Sequence, residues 1–395
     1  MVKFNVKAFA ILGFLLLVMR ADLNFVERME LIFVAQLHTA FPAPDPLPEN
    51  TVITVAVDEK SIDALGQWPW PRSYYVKLIQ KLREAGAKAI AFHIVFADPD
   101  RMGEHHDQQL AHEIKKGKVI LGWLGEGLSV TDNGEPKTYS DKLVMFNNLF
   151  ESNINKDIFS FVIKTNAPIR NVDVIEESAN GAGLLGMMLG SDGMTREVPL
   201  LVNSRLKLQP TFFTEVARVS QGQEQTFLET TSIGLKAVHI SGDLVVPTNE
   251  SGAIVLKYRP YNLKNTVSAL DVFEGLIQDN VFKGKVVLLG ATAPGIERSQ
   301  YSPLGEVVPE VFFFSLAIEQ VLSGESLLRL HTLKGIEIVI LLLISVGLIV
   351  VFSRYPSYII LRIFVGLQVG LYGLSTLLFA RYDLVFILSL FLFPC

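Results

Sequence analysis

Apolar residues concentrated at the two ends of the chain constrain its fold more than any other feature. From Gly335 to Cys395 almost every residue is apolar. Ile336–Phe352 holds one charge, Glu337; Tyr358–Ala380 holds only Arg362; Leu384–Pro394 holds none. A bilayer core needs roughly 20 such residues per helix, with about 17–25 tolerated. Transmembrane helices are therefore expected over 335–352 and 358–380, and an incomplete third over 384–395. At the other end Lys3 and Lys7 precede an uncharged run, Ala8–Met19, which Arg20 closes. That run has signal-peptide proportions, but no small-x-small cleavage site succeeds it. Phe25, Met29, Ile32, Phe33 and Leu37 continue it at helical spacing. The reading is a transmembrane signal anchor over 1–20, then a juxtamembrane helix and Pro-rich linker over 21–50. A cleaved signal is the alternative, and either one exports the chain beyond it.

Orientation follows the Lys and Arg residues near the spans. Lys3 and Lys7 flank the first, and Arg354 and Arg362 lie around the loop after the second. This places the N-terminus in the cytoplasm and the middle of the chain outside it. The expected location is the cytoplasmic (inner) membrane of a bacterium, with the main domain periplasmic or extracellular and the lipid bilayer as a partner. The only cysteine is Cys395, so no disulfide staples the exported part. A domain near 300 residues can bury a large core without one. The net charge of −5 is mild, and no basic stripe suggests nucleic acid.

Pro42, Pro44, Pro46 and Pro48 mark a stiff connector before Thr51. Val52–Val57 then reads as a strand, Ser73–Glu84 as a helix, Lys88–Phe96 as a strand, His106–Ile114 as a helix and Lys118–Leu121 as a strand. Helices and short strands alternating in this way predict an α/β fold. The expected sheet is mainly parallel, with helices on both faces, in an extracytoplasmic domain over 51–330. Thr131–Glu177 is polar and irregular and reads as an insertion. Further strands are expected at Val198–Val202, Ala253–Tyr258 and Lys285–Gly290. Helices are expected at Gln209–Ser220 and Pro309–Leu322, the latter stopped by Gly324.

Several blocks together resemble the type-two CHASE extracellular sensory domain. They are V-A-V-D-E-K-S (55–61), L-G-Q-W-P-W-P-R (65–72), A-G-A-K-A-I-A-F (85–92), D-G-M-T-R-E-V-P-L (192–200), G-K-V-V-L-L-G-A-T-A-P-G (284–295), S-P-L-G (302–305) and A-I-E-Q-V-L-S-G (317–324). The resemblance is collinear over 21–395. It implies a sensor between one N-terminal span and, usually, three C-terminal ones, followed by a cyclase or kinase output. It also implies dimerisation. No output domain is present in these residues. The chain departs from the pattern where the second strand usually ends in Asp, which here is His93. It departs again at Arg298, in place of an Asp before Ser302-Pro303. In the last helix Glu310 stands for Gly and Phe314 for His.

Ligands of a parallel sheet bind at the carboxyl ends of its strands. Asp58, His93 and the Gly290–Thr292 turn fall there, and Arg298 and Phe314 could join them. Asp58, Arg72, His93, Thr292, Arg298 and Phe314 are thus the candidate ligand-binding residues. Two family acids have become His and Arg, so a hard cation loses its oxygen ligands and the family's polar site is expected to be lost. Ordinary turn and interface residues are the alternative. Trp68–Arg72 is either a recognition motif or an aromatic pair that packs a sheet edge and starts a helix. For the latter, Arg72 would pair with Asp58 or Asp98. His105, His106, Asp107, His112 and Glu113 invite a metal reading but lack the His pair at i, i+4, so a solvated helix start is expected. No cofactor, metal site or catalytic set is expected. The function is read as a sensory module for transmembrane signalling, responding to a small molecule or a protein. A degenerate sensor-fold subunit acting as a structural or protein-interaction component of a bacterial envelope complex is the rival. An exported enzyme comes last.

Overall fold

A computed structural model describes residues 23–129, 149–150, 162–190, 192–204, 207–231, 234–327 and 354–385, with a few positions between 339 and 351. Two compact units emerge. One comprises Ala43–Ser326; the other combines the chain up to Pro42 with Leu327 onward. The expected signal anchor over 1–20 lies outside the described residues, as do most of 335–352 and of 384–395.

The larger unit is built on a nine-stranded sheet. Six of its strands run parallel: β1 (Val52–Val57), β2 (Ala89–Phe92), β3 (Val119–Ser129), β4 (Gly181–Leu184), β5 (Thr266–Ser268) and β6 (Val286–Ala291). Their order is β5-β1-β6-β2-β3-β4. Beyond Trp123, β3 pairs antiparallel with Lys164–Ile169, and Leu201–Ser204 and Lys207–Pro210 extend that side. The sheet is thus largely parallel, with an antiparallel flank. Smaller sheets, including a three-stranded one of Ala253–Val255, Thr195–Pro199 and Met188–Leu189, complete the unit.

Every residue of β1 and β2 is buried. This is the signature of strands covered on both sides, which read as unbroken apolar runs. The helices used below are α1 (Leu23–Ala40), α2 (Glu59–Leu65), α3 (Arg72–Glu84), α4 (Glu104–Ile114), α5 (Phe212–Ser220), α6 (Ala269–Glu274), α7 (Glu310–Ser323) and α8 (Ser357–Tyr382). Alternate strand residues divide between two clusters. Ile53, Val55, Val57, Ile90 and Phe92 pack with Tyr75, Leu78 and Leu82 of α3 and Leu110 and Ile114 of α4. Val52, Ala89, Ala91 and Leu288 pack with Phe212, Phe213 and Val216 of α5 and Phe313, Phe314 and Val321 of α7. Each large side chain taken fully from water contributes about 1.5–3 kcal/mol, so α5 and α7 are held mainly by their aromatic rings.

Several sequence expectations shift. The third strand, expected over Lys118–Leu121, runs from Val119 to Ser129. The second strand ends at Phe92, four residues early, because the chain turns there into the Phe96 loop. Gln209 and Pro210 belong to a strand, and α5 begins only at Phe212. The described part of the expected insertion contains the strand Lys164–Ile169 and a short helix, Asp173–Glu176.

In the smaller unit α8 is long and apolar enough to cross a membrane, with a mean hydropathy of 1.8. It ends at Tyr382, capped by Asp383, whose φ of 52° is left-handed. Its Tyr372 and Phe379 meet Phe33 and His38 of α1 edge-on, at 5.5 and 5.4 Å between ring centroids.

Candidate functional site

The carboxyl ends of β1, β2 and β6 lie side by side, since Val57 is in register with Ala291 and Leu289 with Phe92. Asp58, His93 and Thr292 come directly after these ends. The turn after β6 folds over β1, with the amides of Thr292 and Ala293 both donating to the carbonyl of Val57. Gly290 makes room for α7: a Cβ there would lie 2.7 Å from Val311 Cγ2 and 3.3 Å from His93 Cβ. The glycine is required by this close approach.

Asp58 is committed to structure. It is the N-cap of α2, accepting from Ser61 N at 2.9 Å. It also accepts from the hydroxyls of Ser61 and Ser268, which ties α2 to the end of β5. An N-cap of this kind contributes about 1 kcal/mol.

His93, Arg298 and Phe314 do come together, with Glu310. The His93 ring lies 4.2 Å from that of Phe314, tilted by 52°. Phe314 in turn stacks on Phe213 at 4.9 Å and 24°. It is therefore both core and cleft wall. His93 Nε2 is 3.9 Å from Glu310 Oε2, too far for a hydrogen bond. Burial, aided by the Arg298 charge, pushes the imidazole down to about 4 from 6.5, so the ring is neutral at ordinary pH. Burial raises the Glu310 carboxyl, while Arg298 and a hydrogen bond from Gln300 Nε2 at 3.1 Å restrain that rise. Gln300 Oε1 accepts from Thr195 Oγ1 at 3.0 Å. Arg298 is exposed, and its carbonyl accepts from Glu310 N at 2.7 Å, which fixes the start of α7.

Thr292 lies on the rim of an adjoining depression, where Thr54, Thr266, Asn265 and Ser315 line the walls. Glu319 and Arg259 also line it; Glu319 accepts from Val52 N at 3.0 Å and pairs with Arg259. Burial raises the Glu319 carboxyl, and Arg259 opposes this. The sequence marks Glu310 only as a departure from the family pattern and not as a site residue, and Gln300 and this depression escaped the sequence reading. The one available signal was Thr54, a polar residue within an otherwise apolar strand.

Arg72 sits elsewhere. Its Nε donates to Asp107 at 2.8 Å, its guanidinium also reaches the Asp98 carbonyl, and it lies 4.7 Å from the Phe96 ring centroid. The helix start is solvated at Glu104 and His105, as expected, but Asp107 is buried and forms an internal ion-pair site. The aromatic pair packs: Trp70 is buried and donates to the Gly66 carbonyl at 2.9 Å. Pro71 is the residue just before α3. Among the described residues no three His, Cys, Asp or Glu side chains are grouped to hold a metal.

The cleft presents a neutral imidazole, a half-buried carboxyl, an exposed guanidinium and an aromatic wall. That set can recognise a ligand through hydrogen bonds and charge. Neither a curated protein nor a solved structure gives a significant match. A family model described as CHASE2 domain matches residues 9–350. With most of its length matched, the chain belongs to the CHASE2 domain family, a family of extracellular sensory domains.

Proposed function

We propose that this chain is a membrane-anchored sensory module. In this reading the exported α/β domain reports the state of its cleft through α7 to the apolar segment beyond. One observation carries it: α7 links the cleft to the chain exit as a single rigid element. Its first turns supply Glu310 and Phe314 to the cleft. Its later turns hold other elements, Glu319 on Val52 N and Gln320 on both the amide and the carbonyl of Lys257. Fourteen residues span about 21 Å at 1.5 Å each. A shift of Phe314 thus has a stiff route to Gly324, next to the apolar C-terminal region.

The two core clusters support helices on both faces of the sheet, α3, α4 and α6 against one and α5 and α7 against the other. The apolar segments at both ends support anchoring in the inner membrane of a bacterium, with the domain on the periplasmic or extracellular side. Homodimerisation is what the family suggests, and a small molecule or a protein is the expected signal. The chain is read as a non-enzyme. The test is a chimera in which residues 1–356 precede an adenylate cyclase catalytic domain. Arg298→Glu and Glu310→Gln, in folded protein, are expected to change cyclic nucleotide output at least twofold. Output identical in both variants, and equal to that of anchors lacking 51–327, would refute the sensory reading.

A second reading, a protein-interaction subunit, is favoured by the hairpin Ser299–Tyr301 and Val307–Pro309 beside the cleft. Tyr301 and Val307 face each other across it and are 61% and 56% exposed. A stoichiometric partner that co-purifies in detergent and is lost with Tyr301→Glu would support this reading instead.

A further inference from the structure

The amino ends of β1, β6, β2 and β3 form one edge of the sheet. Val52 is in register with Val286, Val286 with Ala89, and Ile90 with Val119. A lysine immediately precedes three of these strands: Lys285, Lys88 and Lys118. The main chain locks them in a row, with Lys88 N donating to the Lys285 carbonyl and Ile90 N to the Lys118 carbonyl, each at 2.8 Å. Lys283 bridges to Ala87, and Lys115 is the C-cap of α4, three residues before Lys118. Lys115, Lys118 and Lys283 are exposed, and Lys88 and Lys285 are half-buried.

Among the described residues none of these five lysines has an ion-pair partner. Glu113, the buried acid nearby, is occupied by Arg83 and Lys116. Glu84 and Asp279, which flank these segments in sequence, pair with none of the five. Partial burial and the charge of Lys118 both lower the Lys88 amine, a sign that like charges crowd here. The C-terminal ends of α3 and α4 favour cations at this edge, but two helix ends do not call for a row of five.

The chain also enters and leaves the domain at this edge. β1 begins directly after the Pro-rich linker. α7 runs antiparallel to the strands. Its Val311 lies against Gly290, near the carboxyl end of β6, and Glu319 meets Val52 N at the amino end of β1. Its last turn and the residues after it therefore emerge past the amino ends of the strands.

We propose that this lysine edge docks on the anionic phospholipid headgroups of the bilayer that holds the flanking apolar segments. The inference rests on the membrane-anchored reading above. Both chain exits share the edge, so the lysines lie on the side of the domain from which both flanking apolar segments leave. Ammonium groups recognise lipid phosphates as point charges, over a range set by the Debye length. Docking would fix the height and tilt of α7 at the surface, giving the sensor a defined resting position.

The test uses the full chain, with Cys395→Ser and a fluorophore on a single cysteine introduced at Lys118, Lys283 or Pro294. Pro294 is an exposed turn residue at the opposite, carboxyl end of the strands. The protein is placed in vesicles of phosphatidylcholine alone, or with roughly one third phosphatidylglycerol, carrying a headgroup quencher. With phosphatidylglycerol, quenching at 118 and 283 should be at least twofold greater than at 294. It should fall to the 294 level in about 1 M salt, where the Debye length is about 3 Å. For the 283 label, Lys88, Lys115, Lys118 and Lys285 all changed to Gln should abolish the excess, and all changed to Arg should keep it. Equal quenching at the three positions, or the same excess in neutral lipid, would overturn the proposal. So would selective release by inorganic phosphate at matched ionic strength, which would mark a free-anion site. Flotation of the vesicles after an alkaline wash separates the two readings. Protein that floats without the excess defeats only the docking, whereas protein that does not float defeats the membrane anchor as well.

Discussion

His93 shows how one residue can set a domain's pH response. Its ring is wedged against Phe314 with Arg298 close by, so the neutral form is favoured in the folded state. The folded value of about 4 lies below the ordinary 6.5, and the unfolded chain binds the proton more readily. Stability from this group is therefore complete above about pH 6.5 and is lost as pH falls towards 4. The interval corresponds to about 3 kcal/mol at most. Glu310 acts in the opposite sense. Its raised carboxyl contributes stability that is fully present below its ordinary 4.5 and is lost as pH rises through its folded value. Thermal unfolding in detergent at pH 7 and pH 5 is expected to show a clear drop for the wild type and a smaller one for His93→Gln. Glu310→Gln removes the opposing group and should steepen the drop. An equal drop in wild type and His93→Gln would show that His93 is not the responsible group. Gly290 makes a prediction of its own. Gly290→Ala places a methyl 2.7 Å from Val311, and overpacking of this kind costs about 1–3 kcal/mol. Unfolding by urea measures this, and Val311→Ala in the same chain should restore part of the loss.

At the scale of elements, α3 and α4 are joined by a polar contact the sequence left ambiguous. Arg72 opens α3, and Asp107 lies in the first turns of α4. The aspartate also accepts from the Asp100 amide at 2.9 Å, so one carboxylate fixes a helix and the loop before it. Arg72→Met leaves that carboxylate buried and unpaired, and a loss of about 3–5 kcal/mol is expected. Arg72→Met with Asp107→Leu should lose less, which a double-mutant cycle by urea unfolding resolves. Unbroken apolar runs such as V-I-T-V-A-V made the buried parallel strands legible, because strands covered on two sides carry no alternation. The end of α7 was legible from Gly324, whose φ of 70° suits glycine. The pairing of Arg72 was not, since nothing in one dimension distinguishes Asp98, Asp107 and Asp58 as partners. Nor was the lysine edge. Its residues are scattered over 88–118 and 283–285, and only the strand order β6-β2-β3 makes them neighbours. His93 was legible because it follows a strand end, whereas Arg298 and Phe314 were singled out only by the family resemblance. Gln300 was missed, because a short hairpin inside a loop has too weak a pattern to read.

For the molecule as a whole, the exported sensor reading requires Arg354 and the cleft to lie on opposite sides of the bilayer. Charge and length both bear on this. Lys3 and Lys7 precede the first apolar run and Arg354 comes after the second, but Arg20, Arg329 and Lys334 flank the outer ends of these runs, so charge alone does not fix the orientation. The 26 residues of α8 reach about 39 Å, more than the roughly 30 Å hydrocarbon core, which leaves Arg362 and Arg381 near opposite interfaces. Alkaline phosphatase, active only after export, is expected to be active when fused after Ser326 and inactive when fused after Tyr355. A fluorescent protein that matures only in the cytoplasm should show the reverse. The Tyr355 fusion is the more discriminating. If the segment between 335 and 352 did not cross, both fusions would report the outside, and α7 would have no membrane segment to move. In that case the path from Phe314 to Gly324 would end at the surface, and the domain would be a displayed binding module. The opposite pattern in the two fusions would leave α7 as the element connecting the cleft to the cytoplasmic side.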